Sequence, residues 1–253
     1  MVIAVAIIKG GTGKTTTAAA LLQAAVYDKK RALAVDLDPQ ANLTACLAAS
    51  ADQEGAWHLL HGSPAPTCLE HTKQGIDVIG ASSRLATETS FPASAQRLRT
   101  GLDPILSEYD FIIIDTPPTM SELTFNALYA ADEVMIPVEA DSGSVQGLYQ
   151  IADIAKEVAE NSKRTHLLGQ VVTRFSKQAT LSNLMLERLQ SIGKDIGAPV
   201  LATIRQGIAI REAQALGQSL YQYKPNSHPA EDYLHLYAYI QKKYKSSLKT
   251  KEV

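Results

Sequence analysis

The sequence has 253 residues, 45% of them hydrophobic and 20% charged, with a formal net charge of −2, the balance of a soluble globular chain long enough to bury a full core. Its apolar runs are no longer than a strand, which excludes a membrane-spanning helix, and its first residues read as a strand rather than a charged leader, which argues against a secretory signal. Two cysteines, Cys46 and Cys68, make no disulfide framework, so the expected compartment is the cytoplasm.

An apolar run from Val2 to Ile8 leads into Ile8-Lys9-Gly10-Gly11-Thr12-Gly13-Lys14-Thr15-Thr16, and an Ala-rich segment, Thr17 to Val26, follows. The order is strand, glycine loop, helix. Such a loop wraps a polyphosphate with backbone N–H groups, and the helix N-terminus adds partial positive charge. Glycines allow close approach and positive φ. Lys14 would lie against the outer phosphates, and the Thr15 hydroxyl would hold a magnesium ion. The strict phosphate-loop pattern requires glycine at position 8; this chain has Ile8 there, then a second lysine, Lys9.

The next buried strand, Arg31 to Asp36, ends in Asp36-Leu37-Asp38-Pro39-Gln40-Ala41-Asn42. Carboxylates two residues apart at a strand's C-terminal end can point to the same side, and that edge is where open α/β sheets bind ligands. Residues 50–75 are loop-rich and contain His58-x-x-His61 and Cys68-x-x-His71. That spacing can suggest zinc, but it arises readily by chance, and a short metal-free helix around Trp57-His58-Leu59-Leu60 is the favoured reading. Ile76 to Gly80 reads as a short strand, and Leu85 to Ser107 as mostly helical with a break near Phe91-Pro92. Tyr109-Asp110-Phe111-Ile112-Ile113-Ile114-Asp115 is a strand buried on both faces. Its terminal aspartate has the Walker B arrangement, reaching magnesium through water.

Downstream, Ala130 to Val138 and Leu167 to Arg174 read as strands, Thr180 to Ile192 as a helix, and Ala198 to Ile204 as a final strand. Pro229 to Tyr244 reads as a terminal helix with Tyr233, Leu236, Tyr237 and Ile240 at helical spacing, packed on its own domain. Residues 1–154 carry 9 Lys/Arg against 18 Asp/Glu, while residues 155–253 carry 15 against 8. The later part is therefore the candidate footprint for DNA or an anionic surface. One domain, 1–245, is expected, with a disordered Lys-rich tail at 246–253.

The variant loop Lys9 to Thr16, the Asp-x-Asp-Pro-Gln-x-Asn segment at 36–42 and the stretch from Tyr109 through Asp115-Thr116-Pro117-Pro118 to Leu148 together resemble the ParA/MinD family of deviant Walker A ATPases, closest to its short ParA members. The resemblance covers nearly the whole chain. It implies a single-domain α/β fold, a mostly parallel twisted sheet flanked by helices, and ATP and Mg2+ as cofactors. Lys9, Gly10, Gly11, Thr12, Gly13, Lys14, Thr15 and Thr16 would bind nucleotide, and Thr15, Asp36 and Asp115 would serve the metal. Asp38 would position or activate the attacking water, assisted by Lys14, and by Lys9 crossing a homodimer interface to the partner's phosphates. It further implies ATP-dependent binding of nonspecific DNA, slow hydrolysis stimulated by a ParB-like partner, a nucleoid-associated location, and a role in segregating plasmid or chromosomal DNA.

Two departures bear on this reading. Asp141-Ser142-Gly143-Ser144 stands where members of the family often carry bulky aromatics that bear on dimer contacts. Arg205 replaces the proline of an Ile-Pro-Arg turn, so DNA contacts transfer only loosely, to Arg174, Lys177, Arg205 and Arg211. The alternative is a MinD-like, membrane-associated spatial regulator or a cargo-positioning ATPase; the polar, lysine-rich end of the chain makes a membrane partner the less expected one. An electron-transfer role like that of the nitrogenase iron protein would need cysteines near the switch, and both cysteines here precede residue 70. A nucleotide-locked scaffold without turnover is opposed by the presence of Lys9, Lys14, Asp38 and Asp115.

Overall fold

The computed structural model describes residues 1–86, 95–141 and 143–251, the last five by backbone alone. In chain order the elements are β1 (Val2–Val5), α1 (Lys14–Tyr27), β2 (Ala32–Asp36), α2 (Asn42–Cys46), α3 (Gly55–Leu60), β3 (Glu70–His71), β4 (Asp77–Ile79), α4 (Arg97–Leu102), β5 (Phe111–Asp115), α5 (Glu122–Ala130), β6 (Glu133–Glu139), α6 (Ser144–Ser162), β7 (His166–Phe175), α7 (Thr180–Ile196), β8 (Val200–Arg205), α8 (Ala209–Ala215), α9 (Leu220–Tyr223) and α10 (His228–Lys251). Among the described residues these strands make one sheet of order β3-β4-β2-β5-β1-β6-β7-β8. Every pairing is parallel except β3 with β4.

The strand sequences explain the layering. Every residue of β1, β2 and β5 is buried, as expected of parallel strands covered by helices on both faces. The pleat then divides each strand between two cores. Val2, Ala4, Ile112 and Ile114 pack on one side with residues of α3 to α7. Ile3, Val5, Phe111 and Ile113 pack on the other with α1, α8 and α10. Each of these fully buried isoleucines contributes about 1.5–3 kcal/mol by leaving water.

The terminal helix is committed to the second core. Tyr233, Leu236, Tyr237 and Ile240 are buried, the Tyr233 hydroxyl bonds Thr17 of α1 at 3.0 Å, and the Tyr237 ring meets Phe111 edge-on. This apolar face is therefore used within the molecule. Among the described residues no helix is long and apolar enough to cross a membrane. α10 runs to Lys251 without a break at residue 245.

Among the described residues of the 85–107 region, α-helix covers Arg97–Leu102, and 3-10 segments lie at Ser83–Ala86 and Asp103–Glu108. Asp103 keeps helical backbone, and the chain passes there from α4 directly into the second 3-10 segment. The expected break at Phe91-Pro92 lies outside the described residues.

Candidate nucleotide-binding site

The C-terminal ends of β1, β2 and β5 lie side by side, with Val5 and Asp36 each in register with Asp115. The loop leaving β1 crosses this edge and enters α1 at Lys14. Gly11 and Gly13 adopt φ of 78° and 90°, left-handed conformations that cost a glycine little and any other residue more. Around Gly10 and Gly11 no heavy atom lies within 4 Å of where a β-carbon would stand, so the loop is an open cradle in front of a helix N-terminus.

Lys14 is 6% exposed, and its ammonium donates to the Lys9 carbonyl at 3.0 Å. Burial lowers its pKa, against the opposing pull of Asp115 and Asp38. A buried ammonium with one carbonyl partner has donors left for an anion. The Thr15 hydroxyl donates to Asp115 Oδ2 at 2.7 Å, while Asp115 Oδ1 is buried without a hydrogen-bond partner. Burial pushes the Asp115 carboxyl well above its usual range, and neighbouring Asp36 pushes it further. An orphaned, buried carboxylate oxygen beside a threonine hydroxyl fits a hard, oxygen-seeking cation such as Mg2+.

The three carboxylates that sequence placed together are held in different ways. Both Asp36 oxygens are occupied: one accepts the Asp38 N–H at 3.0 Å, the other the Thr44 N–H and hydroxyl at 2.9 and 2.7 Å. Burial raises the Asp36 pKa to about 6, against these hydrogen bonds. Asp36 thus ties β2 to α2 and orients the Asp38 backbone, while Asp115 and Thr15 present the hard oxygen donors. Asp38 accepts the Gln40 N–H at 3.0 Å through Oδ1, a side-chain turn that steers its carboxylate.

Lys9 has a partner that the linear motif does not show. Its ammonium lies 2.9 and 2.8 Å from Asp141 Oδ1 and Oδ2, and 3.2 Å from Ser144 Oγ at the start of α6. Burial alone would raise the Asp141 pKa, but Lys9 and Ser144 together hold it below the usual carboxylate range. Asp141 and Ser144 of that departure are thus the docking place of the second lysine. Thr173 is a further residue that the strand pattern passed over. Its hydroxyl lies 2.8 Å from the Thr12 carbonyl and 3.3 Å from that of Val138, bracing the loop from β7.

Beside the loop lies a cavity of about 470 Å³, lined by Gly13, Thr16, Thr173, Ile204, Ile208 and Tyr233 among others. Its volume is within the roughly 300–1,000 Å³ typical of ligand pockets. Three of the four arginine and lysine candidates for DNA, Arg174, Arg205 and Arg211, also line it. Arg174 is paired with Glu139. Arg205 is engaged by Asp232 and Glu231, with its closest contacts at 2.8 and 3.1 Å. Lys177 is exposed and does not line this cavity. The histidine and cysteine spacings go to separate partners: His61 stacks on Trp57, His71 meets Asp77 at 2.5 Å, and Cys68 lies 3.5 Å from the Pro64 carbonyl. Among the described residues no three potential ligands cluster.

A parallel sheet carrying a glycine cradle, a buried lysine and a threonine–aspartate pair at its C-terminal edge defines a P-loop nucleotide hydrolase, and Lys9 places it in the two-lysine class. A family model described as an AAA domain matches residues 1–167. The chromosome-partitioning ATPase Soj of Thermus thermophilus is 36% identical over 238 residues, 92% of each chain. The sporulation initiation inhibitor Soj of Bacillus subtilis is 32% identical over 93% of this chain and 96% of its own. The cobyrinic acid a,c-diamide synthase of Mycobacterium smegmatis, solved with ADP and magnesium, superposes with a TM-score of 0.84 at 27% identity, covering 97% of this chain and 96% of its own. The chain belongs to the ParA/MinD family of P-loop ATPases. It is an ATPase of partition-protein kinship, with ATP and Mg2+ as cofactors.

Proposed function

We propose that this ATPase dimerises on ATP, binds nonspecific DNA in that state, and hydrolyses slowly until a ParB-like partner stimulates it, so as to segregate or position plasmid or chromosomal DNA. The observation that carries the reading is the division of labour between two lysines five positions apart. Lys14 is buried in the loop, whereas the Lys9 ammonium is held by Asp141 and Ser144. A partly exposed lysine held by one carboxylate and one hydroxyl can exchange those partners for the phosphates of a second subunit. ATP then joins two faces, and loss of the γ-phosphate removes contacts on both, which is a nucleotide-driven population switch.

Within one subunit, Lys14 neutralises charge on the outer phosphates, Thr15 and Asp115 hold the metal that polarises them, and Asp38 orients the attacking water. A dimer would bind DNA through the sum of weak phosphate contacts from two basic surfaces, without base readout. The partition reading is supported by relatives above 30% identity along almost the whole chain. A membrane-associated role has less support, because the apolar face of α10 is packed on the core.

The deciding experiment measures retention of random-sequence DNA with ATP, ADP or no nucleotide across a salt series. ATP-dependent, salt-sensitive retention is expected; ATP-dependent flotation with anionic liposomes and no DNA retention would replace this reading with the membrane one.

A further inference from the structure

One wall of the cavity beside the loop carries a clamp between Arg205 and two carboxylates of α10. Arg205 stands where a turn proline was expected, at the end of β8. Its Nε lies 3.1 and 2.9 Å from Asp232 Oδ1 and Oδ2, and its Nη2 lies 2.8 Å from Asp232 Oδ1 and 3.1 Å from Glu231 Oε2. The Arg205 backbone N–H also donates to Asp232 Oδ2 at 2.8 Å. Both carboxylates belong to the first turns of α10, so side chain and main chain together pin β8 to that helix. A planar guanidinium bound through several donors fixes orientation as well as distance.

The loop after Arg205 is packed with equal closeness. A β-carbon on Gly207 would stand 2.8 Å from Cγ of Pro229, so only glycine fits against the start of α10. The next residue, Ile208, lines the cavity yet is 68% exposed. Across the cavity, Tyr233 of α10 lines the wall and bonds Thr17 of the phosphate-loop helix. The clamp therefore ties α10 to the segment that carries Ile204, Gly207 and Ile208 into the cavity wall, opposite the loop with Gly13 and Thr16. Arg205 faces two carboxylates, leaving that cluster with a net negative charge and no attraction for a DNA phosphate.

We propose that Arg205 is a positioning residue for the nucleoside half of the bound nucleotide, acting through Asp232 and Glu231 to hold the base wall open at the right width, rather than a DNA contact. The proposal rests on the phosphate-loop reading of Lys14 and Thr15. It predicts that breaking the clamp weakens the contribution of the nucleoside and spares that of the phosphates.

The test compares Arg205→Ala, Arg205→Lys and Asp232→Asn with the wild type in two titrations with Mg2+ present: a fluorescent ATP derivative, and inorganic tripolyphosphate by calorimetry. ATP affinity should fall about tenfold, the scale of one lost charge-assisted pair, with tripolyphosphate affinity unchanged. Arg205→Lys, which keeps the charge and loses the fork, should retain part of the effect. Retention of random DNA by the ATP-saturated Arg205→Ala protein should equal that of the wild type. Unchanged ATP affinity in Arg205→Ala and Asp232→Asn, or an equal loss of both ligands, would overturn the clamp. Loss of DNA retention at saturating ATP would return Arg205 to the DNA surface. A wild-type protein that binds neither ligand would instead sink the phosphate-loop reading beneath it.

Discussion

Around the phosphate loop, the working groups are held partly from within their own segment and partly from across the sheet, and they keep oxygens and ammonium donors in reserve. Asp36 is bound by Asp38 and Thr44, and Thr15 meets Asp115 across a register set by β1, β2 and β5. On the β8–α10 side, Arg205 and Arg174 are each engaged by carboxylates of another element. Arg205 finds Asp232 27 residues later, and Arg174 finds Glu139 35 residues earlier. The first region concentrates buried charge that a ligand must satisfy; the second pairs Arg205 and Arg174 with carboxylates and shapes a wall. A cationic residue is thus a poor guide to anion binding until its carboxylate neighbours are known.

The sharpest way to break this contrast is at Lys14. Lys14→Ala should lower MgATP affinity by at least about 100-fold, since it removes the charged partner of the outer phosphates; calorimetry giving normal affinity would show that the loop does not work through that ammonium. Asp38→Ala should bind ATP and lose turnover by about 100-fold, the lower range for a positioned acid–base group, and steady-state phosphate release is the measurement.

Lys9 tests the boundary between the two regions. Lys9→Ala should bind ATP and remain monomeric by light scattering, while Asp141→Ala, which frees the lysine, should dimerise at lower ATP than the wild type. An ATP-dependent Lys9→Ala dimer would remove the crossing lysine from the scheme. Smaller effects belong to the exposed cations. Lys177→Ala and Arg211→Ala should each weaken DNA retention and reduce the salt slope by about one.

The smallest effect is a pH dependence. The Asp36 carboxyl has a pKa raised to about 6, so between its ordinary value and 6 the folded state holds a proton that the unfolded state has released. Stability of the metal-free protein should therefore fall as pH rises through that window. Comparing melting temperatures of wild type and Asp36→Asn at pH 4 and 6.5 isolates this contribution; a wild-type curve parallel to that of the variant would contradict it.

How legible the site was depends on which force places each residue. Gly13, Lys14 and Thr15 were readable because a tight strand-to-helix turn needs positive φ at glycine and leaves its next residues at a helix N-terminus. The Ile112-Ile113-Ile114-Asp115 run was readable because two-sided burial leaves no polar alternation. α2, α8 and α9 were missed because each is a short segment whose helix is stabilised by packing rather than by period. Thr173 was missed because a threonine in a buried strand looks the same whether or not its hydroxyl braces a loop 161 residues away.

The sequence by itself determined the local geometry of phosphate binding, the double-sided burial of the central strands and the kinship that follows from them. These depend on backbone conformation and on patterns a few residues long. Only the tertiary structure decided which charges remain available, giving Lys9 to Asp141 and Arg205 to Asp232 and Glu231. An ion pair between distant residues leaves no periodic trace in the chain, because Coulomb attraction depends on distance in space and solvent exposure, and folding alone sets both.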